Sequence, residues 1–249
     1  MNVVAVWTIK GGVGKTAAAV NLACLSALDG QRTLLWDLDP QGAASFYFRV
    51  KAKVKGGGRK LLKRSAELQP LVHATDIENL DLLPADFSYR LLDLQLDARK
   101  DPERRIALKL EPLAEEYDTV FLDCPPSVSL ASESVLRAAD ALLVPVIPTT
   151  LSLRGLKQVR SFARKVGRRG LLVLPFLSMV DRRKTMHREA IERCAADGGF
   201  LAAAIPSASV VEKMGVHRAP LNAYAPSSEA AQAFGELWRE LRARLGIGG

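Results

Sequence analysis

The residues with the clearest chemical potential lie near the start of the chain. Residues 10–16 read Lys-Gly-Gly-Val-Gly-Lys-Thr and follow a short apolar run. Glycines let successive backbone N–H groups point at phosphate oxygens, a lysine can reach the β- and γ-phosphates, and a threonine hydroxyl can bind Mg²⁺. The sequence therefore predicts a P-loop for ATP and Mg²⁺. The predicted contacts are Lys10, Gly11, Gly12, Val13, Gly14, Lys15, Thr16 and Ala17.

The loop departs from the usual P-loop pattern at its first residue. That pattern, Gly-x-x-x-x-Gly-Lys-[Ser/Thr], begins with a glycine, whereas Ile9 occupies the position here. Lys10 follows it, and an ordinary P-loop does not require a second lysine beside the phosphates. Both Lys10 and Lys15 are candidates for neutralising charge on the γ-phosphate during phosphoryl transfer. The alternative is a glycine turn without a ligand, which does not account for the combination of these features.

Acidic residues at the ends of apolar runs provide the second half of a phosphoryl-transfer site. Asp123 ends one such run, where a carboxylate can act on the metal through its water. Asp37 and Asp39 end another, and the carboxyl ends of parallel strands are where open α/β sheets place their chemistry. Asp39 is predicted to orient the attacking water. The alternatives are a helix cap at Asp123 and a solvated turn at the other two.

Alternating strands and helices must position these residues. Apolar runs predict strands near the start of the chain and over 32–36, 79–84, 119–123, 141–147, 171–177 and 202–205. Helices are predicted from the P-loop to Leu28, over most of 86–113, at the end of a basic stretch over 46–64, and over 152–168, 188–196 and 227–245. This alternation predicts an α/β fold of the P-loop NTPase class, with a doubly wound, mostly parallel sheet and helices on both faces. Residues 1–249 are expected to form a single domain.

Positive charge is concentrated in two stretches. The net charge is +8, and residues 49–64 hold eight basic residues while 154–169 hold seven, with no acid in either. The remainder of the chain is net negative. Such concentration is what polyanion binding needs, whereas general solubility does not need it.

Other bulk features exclude several classes of protein. No run of roughly 18 or more uncharged apolar residues predicts a transmembrane helix, and the chain enters its first strand with no room for a cleaved signal peptide. The three cysteines, Cys24, Cys124 and Cys194, are widely spaced. They suit a reduced cytosol and provide neither a disulfide framework nor paired metal ligands.

Residues 10–16 also resemble the deviant Walker A loop of the ParA/MinD group of P-loop ATPases. In that group the first lysine reaches the partner's ATP across a nucleotide-sandwich homodimer, a role that the resemblance implies for Lys10. The segment Asp-Leu-Asp-Pro-Gln-Gly at 37–42 is similar to the switch motif of the ParA branch. The resemblance makes Asp39 the hydrolytic aspartate and places Asp37 nearer the metal, with Thr16.

The resemblance covers nearly the whole chain with falling specificity. The further matches are Asn21 in the first helix, the Asp-x-Pro-Pro segment at 123–126, the Met-x-Asp-x-Arg segment at 179–183, and Pro206 beside the adenine. After Pro206 the family's Arg-Asn pair is replaced by Ser207-Ala208, which departs from the family's adenine contacts and DNA surface. No helix-turn-helix extension precedes the first strand, so site-specific operator binding is not expected.

The resemblance implies a ParA/Soj-type partition ATPase, located in the cytoplasm on the nucleoid. Such a protein binds double-stranded DNA without sequence preference as an ATP-bound homodimer, and a ParB-like or other partner stimulates its hydrolysis to position a cargo. Basic residues at three- and four-residue steps share one helix face and are predicted to contact the DNA: Lys157, Arg160, Arg164 and Arg168. Arg183 and Arg218 are secondary candidates that rest partly on the resemblance. These residues could instead serve solubility or an acidic partner, and residues 49–64 could carry the DNA surface.

Two other functions stay open at the level of sequence. A MinD-like membrane-cycling ATPase would use an apolar stripe of the closing helix, formed by Phe234, Leu237, Trp238, Leu241 and Leu245. We favour a helix packed on its own domain, because the basic clusters lie elsewhere, so membrane binding is not expected. A metabolic or maturation P-loop enzyme would need its own substrate residues, and the sequence offers neither paired cysteines nor a histidine cluster.

Overall fold

A computed structural model describes residues 1–63, 67–196 and 198–247. Eight strands form one sheet: β1 (Asn2–Val6), β2 (Thr33–Asp37), β3 (His73–Ala74), β4 (Leu80–Leu83), β5 (Thr119–Asp123), β6 (Ala141–Val146), β7 (Leu172–Val180) and β8 (Ala204–Pro206). Their order is β3-β4-β2-β5-β1-β6-β7-β8. Neighbouring strands are parallel except β3 and β4, which are antiparallel.

Helices connect the strands across both faces of the sheet. The longer ones are α1 (Lys15–Leu28), α6 (Leu130–Ala138), α7 (Thr150–Val166), α8 (Thr185–Ala196) and α12 (Glu229–Leu245). The short ones are α2 (Ala43–Tyr47), α3 (Gly57–Leu61), α4 (Leu92–Asp97), α5 (Arg105–Leu110), α9 (Ser209–Glu212), α10 (Met214–His217) and α11 (Leu221–Tyr224). Single 3₁₀ turns lie at Gln69–Leu71, Phe87–Leu91, Pro102–Arg104 and Glu111–Leu113.

The sheet separates two hydrophobic cores. Successive β1 residues point to opposite faces, so Val3 and Ala5 enter one core while Val4 and Val6 enter the other. The first core is covered by helices α4 to α7, and the second by α1 and α12. Burial of the central strands on both faces explains why their sequences are continuously apolar. The predicted doubly wound α/β fold is confirmed.

One element was not predicted, and the helix predicted at the end of the first basic stretch is present but short. The antiparallel edge strand β3 was not predicted, because two exposed residues carry no alternating pattern. The basic stretch begins with α2 and ends in the five-residue α3, which starts from Gly56 in a left-handed conformation with φ of 86°. The glycines there favour turns over a longer helix. Arg64 lies outside the described residues.

Helix α7 ends earlier than predicted, which changes the position of one basic residue. A Cβ atom on Gly167 would lie 2.5 Å from the Ala163 carbonyl oxygen, and the backbone leaves the helix at this glycine. Arg168 therefore does not share the helix face with Lys157, as the spacing had suggested. Instead it forms an ion pair with Asp140, which precedes β6.

The apolar stripe of α12 packs on its own domain. Phe234, Leu237, Trp238 and Leu241 are each at most 2% exposed. The indole N–H of Trp238 donates to Asp29 at the end of α1, at 2.6 Å. The interpretation of this helix as a core helix is confirmed. Among the residues that the structure describes, no helix is both long and apolar enough to cross a bilayer.

Replacing Leu237 by Ala should lower the free energy of unfolding by about 2–5 kcal/mol, since it leaves a cavity between α12 and the sheet. Urea unfolding followed by circular dichroism measures this loss. Arg239→Ala, at an exposed position of the same helix, is the matched control and should change stability by less than about 0.5 kcal/mol. Equal effects of the two variants would show that the stripe is not core.

Candidate nucleotide-binding site

The loop between β1 and α1 has the backbone shape of an anion cradle. Gly12 and Gly14 have φ of 66° and 89°, in the left-handed region that favours glycine. A Cβ atom on Gly14 would also lie 2.9 Å from the Ser178 hydroxyl of β7. The first turn of α1 contains no acidic residue and no side chain caps its N–H groups. These donors and the helix dipole are therefore available to a phosphate.

The two loop lysines occupy different environments. Lys15 is 7% exposed, and its ammonium donates to the Lys10 carbonyl at 3.3 Å. Burial lowers the pKa of Lys15, while the charges of Asp123 and Asp39 act in the opposite direction. Lys10 is half-buried, and its ammonium lies 3.4 Å from the hydroxyl of Ser152 at the start of α7. Both predicted cations therefore belong to the same loop, with Lys15 turned inward and Lys10 turned towards α7.

Two predicted aspartates meet at the carboxyl edge of the sheet. Asp37 ends β2 and pairs in register with Asp123, which ends β5, and both are fully buried. One Asp37 oxygen accepts hydrogen bonds from the backbone N–H and the hydroxyl of Ser45, each at 2.8 Å. The backbone N–H of Asp39 donates to the other oxygen at 3.3 Å. Burial raises the pKa of Asp37 to about 6.

Asp123 differs from Asp37 because neither of its buried carboxylate oxygens has a well-formed hydrogen bond from the described residues, although the neighbouring Thr16 hydroxyl acts on this carboxyl group. Burial, and next the negative charge of Asp37, raise the pKa of Asp123 well above its usual value. The adjacent Thr16 hydroxyl and the Lys15 ammonium oppose this rise. A buried carboxylate without partners is costly. A divalent cation between Asp123 and Thr16 would supply what is missing, so these residues fit the predicted Mg²⁺.

The rest of the site agrees with a metal held mainly by its substrate. Within residues 1–63, 67–196 and 198–247, no three His, Cys, Asp or Glu side chains are grouped to hold a metal ion. Mg²⁺ is commonly bound by one or two carboxylates plus substrate phosphates and water. Since the oxygens of Asp37 are already used by Ser45 and Asp39, its predicted place near the metal stays a prediction. Asp39 itself is half-buried, and one of its oxygens accepts from the Gln41 N–H at 2.9 Å.

A pocket of about 230 Å³ opens beside the P-loop. Gly12, Gly14 and Ala17 form one wall, and Pro206 lies in the opposite wall with Val211. The pocket is mostly apolar and adjoins the phosphate cradle, as the base of a nucleotide requires. The structure thus places Pro206, at the end of β8, in the same pocket as the predicted P-loop residues that follow β1. It also places Ser207 and Ala208 in the lining, where the ParA family carries Arg-Asn.

The six predicted DNA contacts are spread over α7, the turn after it, the loop before α8 and the end of α10. Lys157, Arg160 and Arg164 lie on α7, and Arg160 additionally approaches the Gly199 carbonyl at 3.3 Å. The remaining three make local contacts: Arg168 pairs with Asp140, Arg183 with Asp181, and Arg218 donates to the Phe46 carbonyl while its guanidinium stacks over the Phe46 ring.

Sequence reasoning missed the serines that hold the site together. Ser45 fixes Asp37, Ser152 contacts Lys10, and Ser178 packs against Gly14. Each belongs to a different element from its partner and follows no local pattern. Asn21, noted only as a family match, bonds the Ala17 carbonyl and the Leu221 N–H, each at 2.8 Å. It therefore ties α1 to α11 and has a structural role.

A strand, a glycine loop and a helix N-terminus, facing a Walker B-type aspartate at the edge of a parallel sheet, define a P-loop NTPase. Comparison with known proteins agrees. A family model described as an AAA domain matches residues 1–172. The sporulation initiation inhibitor protein Soj of Bacillus subtilis is 31% identical over 252 residues, covering 97% of this chain and 98% of Soj. The chromosome partitioning protein ParA of Myxococcus xanthus is 38% identical over 151 residues, covering 60% of this chain and 53% of that protein.

A solved structure also matches the fold of this chain over its whole length. A protein from Mycobacterium smegmatis described as cobyrinic acid a,c-diamide synthase, with bound ADP and magnesium, superposes with a TM-score of 0.81 at 27% identity. The match covers 100% of this chain and 97% of that one. The chain belongs to the Soj/ParA family of P-loop partition ATPases.

The buried carboxylates should make the nucleotide-free protein less stable as the pH rises above about 4, with the Asp37 contribution complete above about 6. Their pKa values are raised in the folded state, so the folded protein binds more protons than the unfolded one and loses stability as those protons leave. The raised pKa of Asp37 alone corresponds to a loss of at most about 3 kcal/mol in the free energy of unfolding. Urea unfolding at several pH values measures the slope, and Asp123→Asn should flatten it. A variant slope equal to that of the wild type would contradict the burial argument.

Proposed function

We propose that this protein is a ParA-type ATPase that dimerises around ATP, binds DNA without sequence preference, and positions a cargo through stimulated hydrolysis. The observation that carries the proposal is the unpartnered buried carboxylate of Asp123 facing a P-loop with two lysines. ATP and Mg²⁺ would balance the charges of this site, because the phosphates would bind the lysines and loop N–H groups while the cation would bind Asp123. The base would occupy the pocket lined by Pro206.

Hydrolysis needs neutralised charge and an oriented water. In this proposal Lys15 and the loop N–H groups hold the β- and γ-phosphates, and Mg²⁺, when bound by Thr16 and Asp123, neutralises developing charge. Asp39 accepts a hydrogen bond from the water that attacks the γ-phosphorus. The bond to the β–γ bridging oxygen then breaks, leaving ADP and phosphate. Asp39 suits this role because it is half-buried near Lys15 and keeps contact with solvent.

Dimerisation would place Lys10 at the partner's nucleotide. The Lys10 ammonium is half-buried and bonds only weakly to Ser152, at 3.4 Å. Its position at the edge of the P-loop therefore permits it to turn towards a second copy. This role follows the family resemblance and is supported by the membership of the chain in the Soj/ParA family.

DNA binding would rest mainly on α7. Its exposed face carries Lys157 and Arg164 beside Arg160, and the helix contains no acidic residue. Contacts with phosphates release counterions, so the affinity should fall steeply with salt. A ParB-like or other partner would stimulate hydrolysis and release the protein from DNA. A location in the cytoplasm on the nucleoid follows from this proposal.

Lys15→Ala should abolish ATP binding, whereas Asp39→Ala should keep it and lose turnover by at least about 100-fold. The first change removes a phosphate contact from ground state and transition state alike, and the second removes only the group that orients water. Equilibrium binding of labelled ATP and phosphate release measure the two effects. Asp76→Ala, at an exposed acid of the surface, is the control and should behave as the wild type. Equally weak ATP binding in both site variants would refute these roles.

Lys10→Ala, made in the hydrolysis-blocked Asp39→Ala background, should bind ATP and stay monomeric. Light scattering measures the mass, and duplex DNA binding with ATP, ADP or no nucleotide measures the consequence. The Asp39→Ala parent should double its mass with ATP and bind DNA most tightly in that state. Lys100→Ala, at an exposed lysine, should match the parent. If the parent gains neither mass nor DNA affinity with ATP, the sandwich-dimer proposal is wrong.

A further inference from the structure

A cleft lined by arginines lies at the edge of the sheet opposite the P-loop. It has a volume of about 490 Å³ and lies between the ends of α6 and α7 and the start of β7. Four guanidinium-bearing residues line it: Arg137, Arg164, Arg168 and Arg169. The spacing of basic residues predicts a shared helix face for Arg164 and Arg168 and gives no signal for Arg137. The tertiary structure therefore assembles a cationic site that no single helix displays.

The charge of the cleft is only partly compensated. Arg168 pairs with Asp140, whose second oxygen accepts from the Val3 N–H at 2.8 Å. This pairing fixes one wall and uses the carboxylate that lies at the cleft. Among the described residues, no acidic side chain lies within ion-pair distance of Arg137, Arg164 or Arg169, and all three are exposed. Three uncompensated guanidinium groups around one cleft favour a ligand with several negative charges.

The residues that line the cleft favour contact with a phosphate backbone over contact with a base. The other described residues that line it are small or aliphatic, such as Gly167, Gly170 and Leu171, and none of them is aromatic. Base stacking, which single-strand binding uses, therefore has no platform among them. Arginines without aromatic neighbours suit contacts with the phosphates of a duplex, which carry no sequence information.

We propose that this cleft binds the phosphate backbone of duplex DNA, with Arg137 and Arg169 joining Arg164 in the contact. The inference rests on the proposed function, because it locates part of the DNA surface of that protein. It also has a consequence that the face of α7 alone does not have. The 17 residues of α7 separate the cleft from the P-loop edge by about 25 Å. Its contribution to DNA affinity should thus be equal with and without ATP.

The decisive variant is Arg137→Glu/Arg169→Glu, which leaves the Arg168–Asp140 pair and the nucleotide site intact. The matched control is Arg239→Glu/Arg244→Glu, with the same charge change at exposed positions of α12. Fluorescence anisotropy with a labelled mixed-sequence duplex, titrated over a range of salt with ATP and without nucleotide, gives both affinity and salt slope. Binding of labelled ATP and urea unfolding verify that both variants fold.

The cleft variant should bind DNA at least about 10-fold more weakly at low salt, and its slope of log K against log salt should be smaller by about two. The loss should be the same in both nucleotide states, and the control should stay within about threefold of the wild type. An equal loss in the control would show an effect of net charge alone and would overturn the proposal.

Other outcomes separate the failure of this inference from the failure of the proposed function. If the cleft variant binds DNA like the wild type while Lys157→Glu weakens binding, the cleft assignment is wrong and the DNA-binding ATPase stands. If the wild type binds no DNA in any nucleotide state, both are wrong. Tripolyphosphate that stabilises the wild type but not the cleft variant, with DNA affinity unchanged, would assign the cleft to free phosphates. A loss of stability alone would mean that the arginines serve only the helix C-termini.

Discussion

The structure is organised around two carboxylates that are buried side by side. Asp37 and Asp123 end adjacent strands in register, and both are sealed from solvent. Asp37 accepts hydrogen bonds from Ser45, the oxygens of Asp123 lack a hydrogen-bond partner among the described residues, and the buried Lys15 ammonium lies close enough to act on Asp123. Burying like charges is unfavourable unless cations compensate. The nucleotide-free protein therefore holds buried acidic groups whose charge a divalent cation such as Mg²⁺ is suited to compensate.

The elements around the two carboxylates are closely packed. Gly14 cannot carry a side chain, because its backbone is left-handed and the Ser178 hydroxyl is too close. Asn21 anchors the following helix at α11, so the cradle and the base pocket keep a fixed relation. Ser45, buried within α2, links Asp37 to the backbone at Ala85.

The two edges of the parallel sheet carry side chains of opposite charge. Buried aspartates lie at its carboxyl edge, whereas arginines lie at its amino edge, at the ends of α6 and α7. Because α7 spans the distance between these edges, one helix reaches Lys10 through Ser152 and the arginine cleft at its other end. A face-to-face dimer formed at the first edge would leave the second edge exposed on both subunits. The arrangement is compatible with a protein that binds nucleotide and polyanion at once.

The sequence by itself determined the features that depend on local order. The glycine loop, the strand-ending aspartates and the apolar stripe of α12 follow from residue type and spacing, and the doubly wound fold follows from the alternation of strands and helices. Tertiary structure alone decided which residues meet. The contacts of Ser45 and Ser152 and the arginine cleft arise between distant elements, and α7 ends at Val166 because the backbone turns extended at Gly167. Such contacts depend on the packing of the whole sheet, and no periodicity along the chain records them.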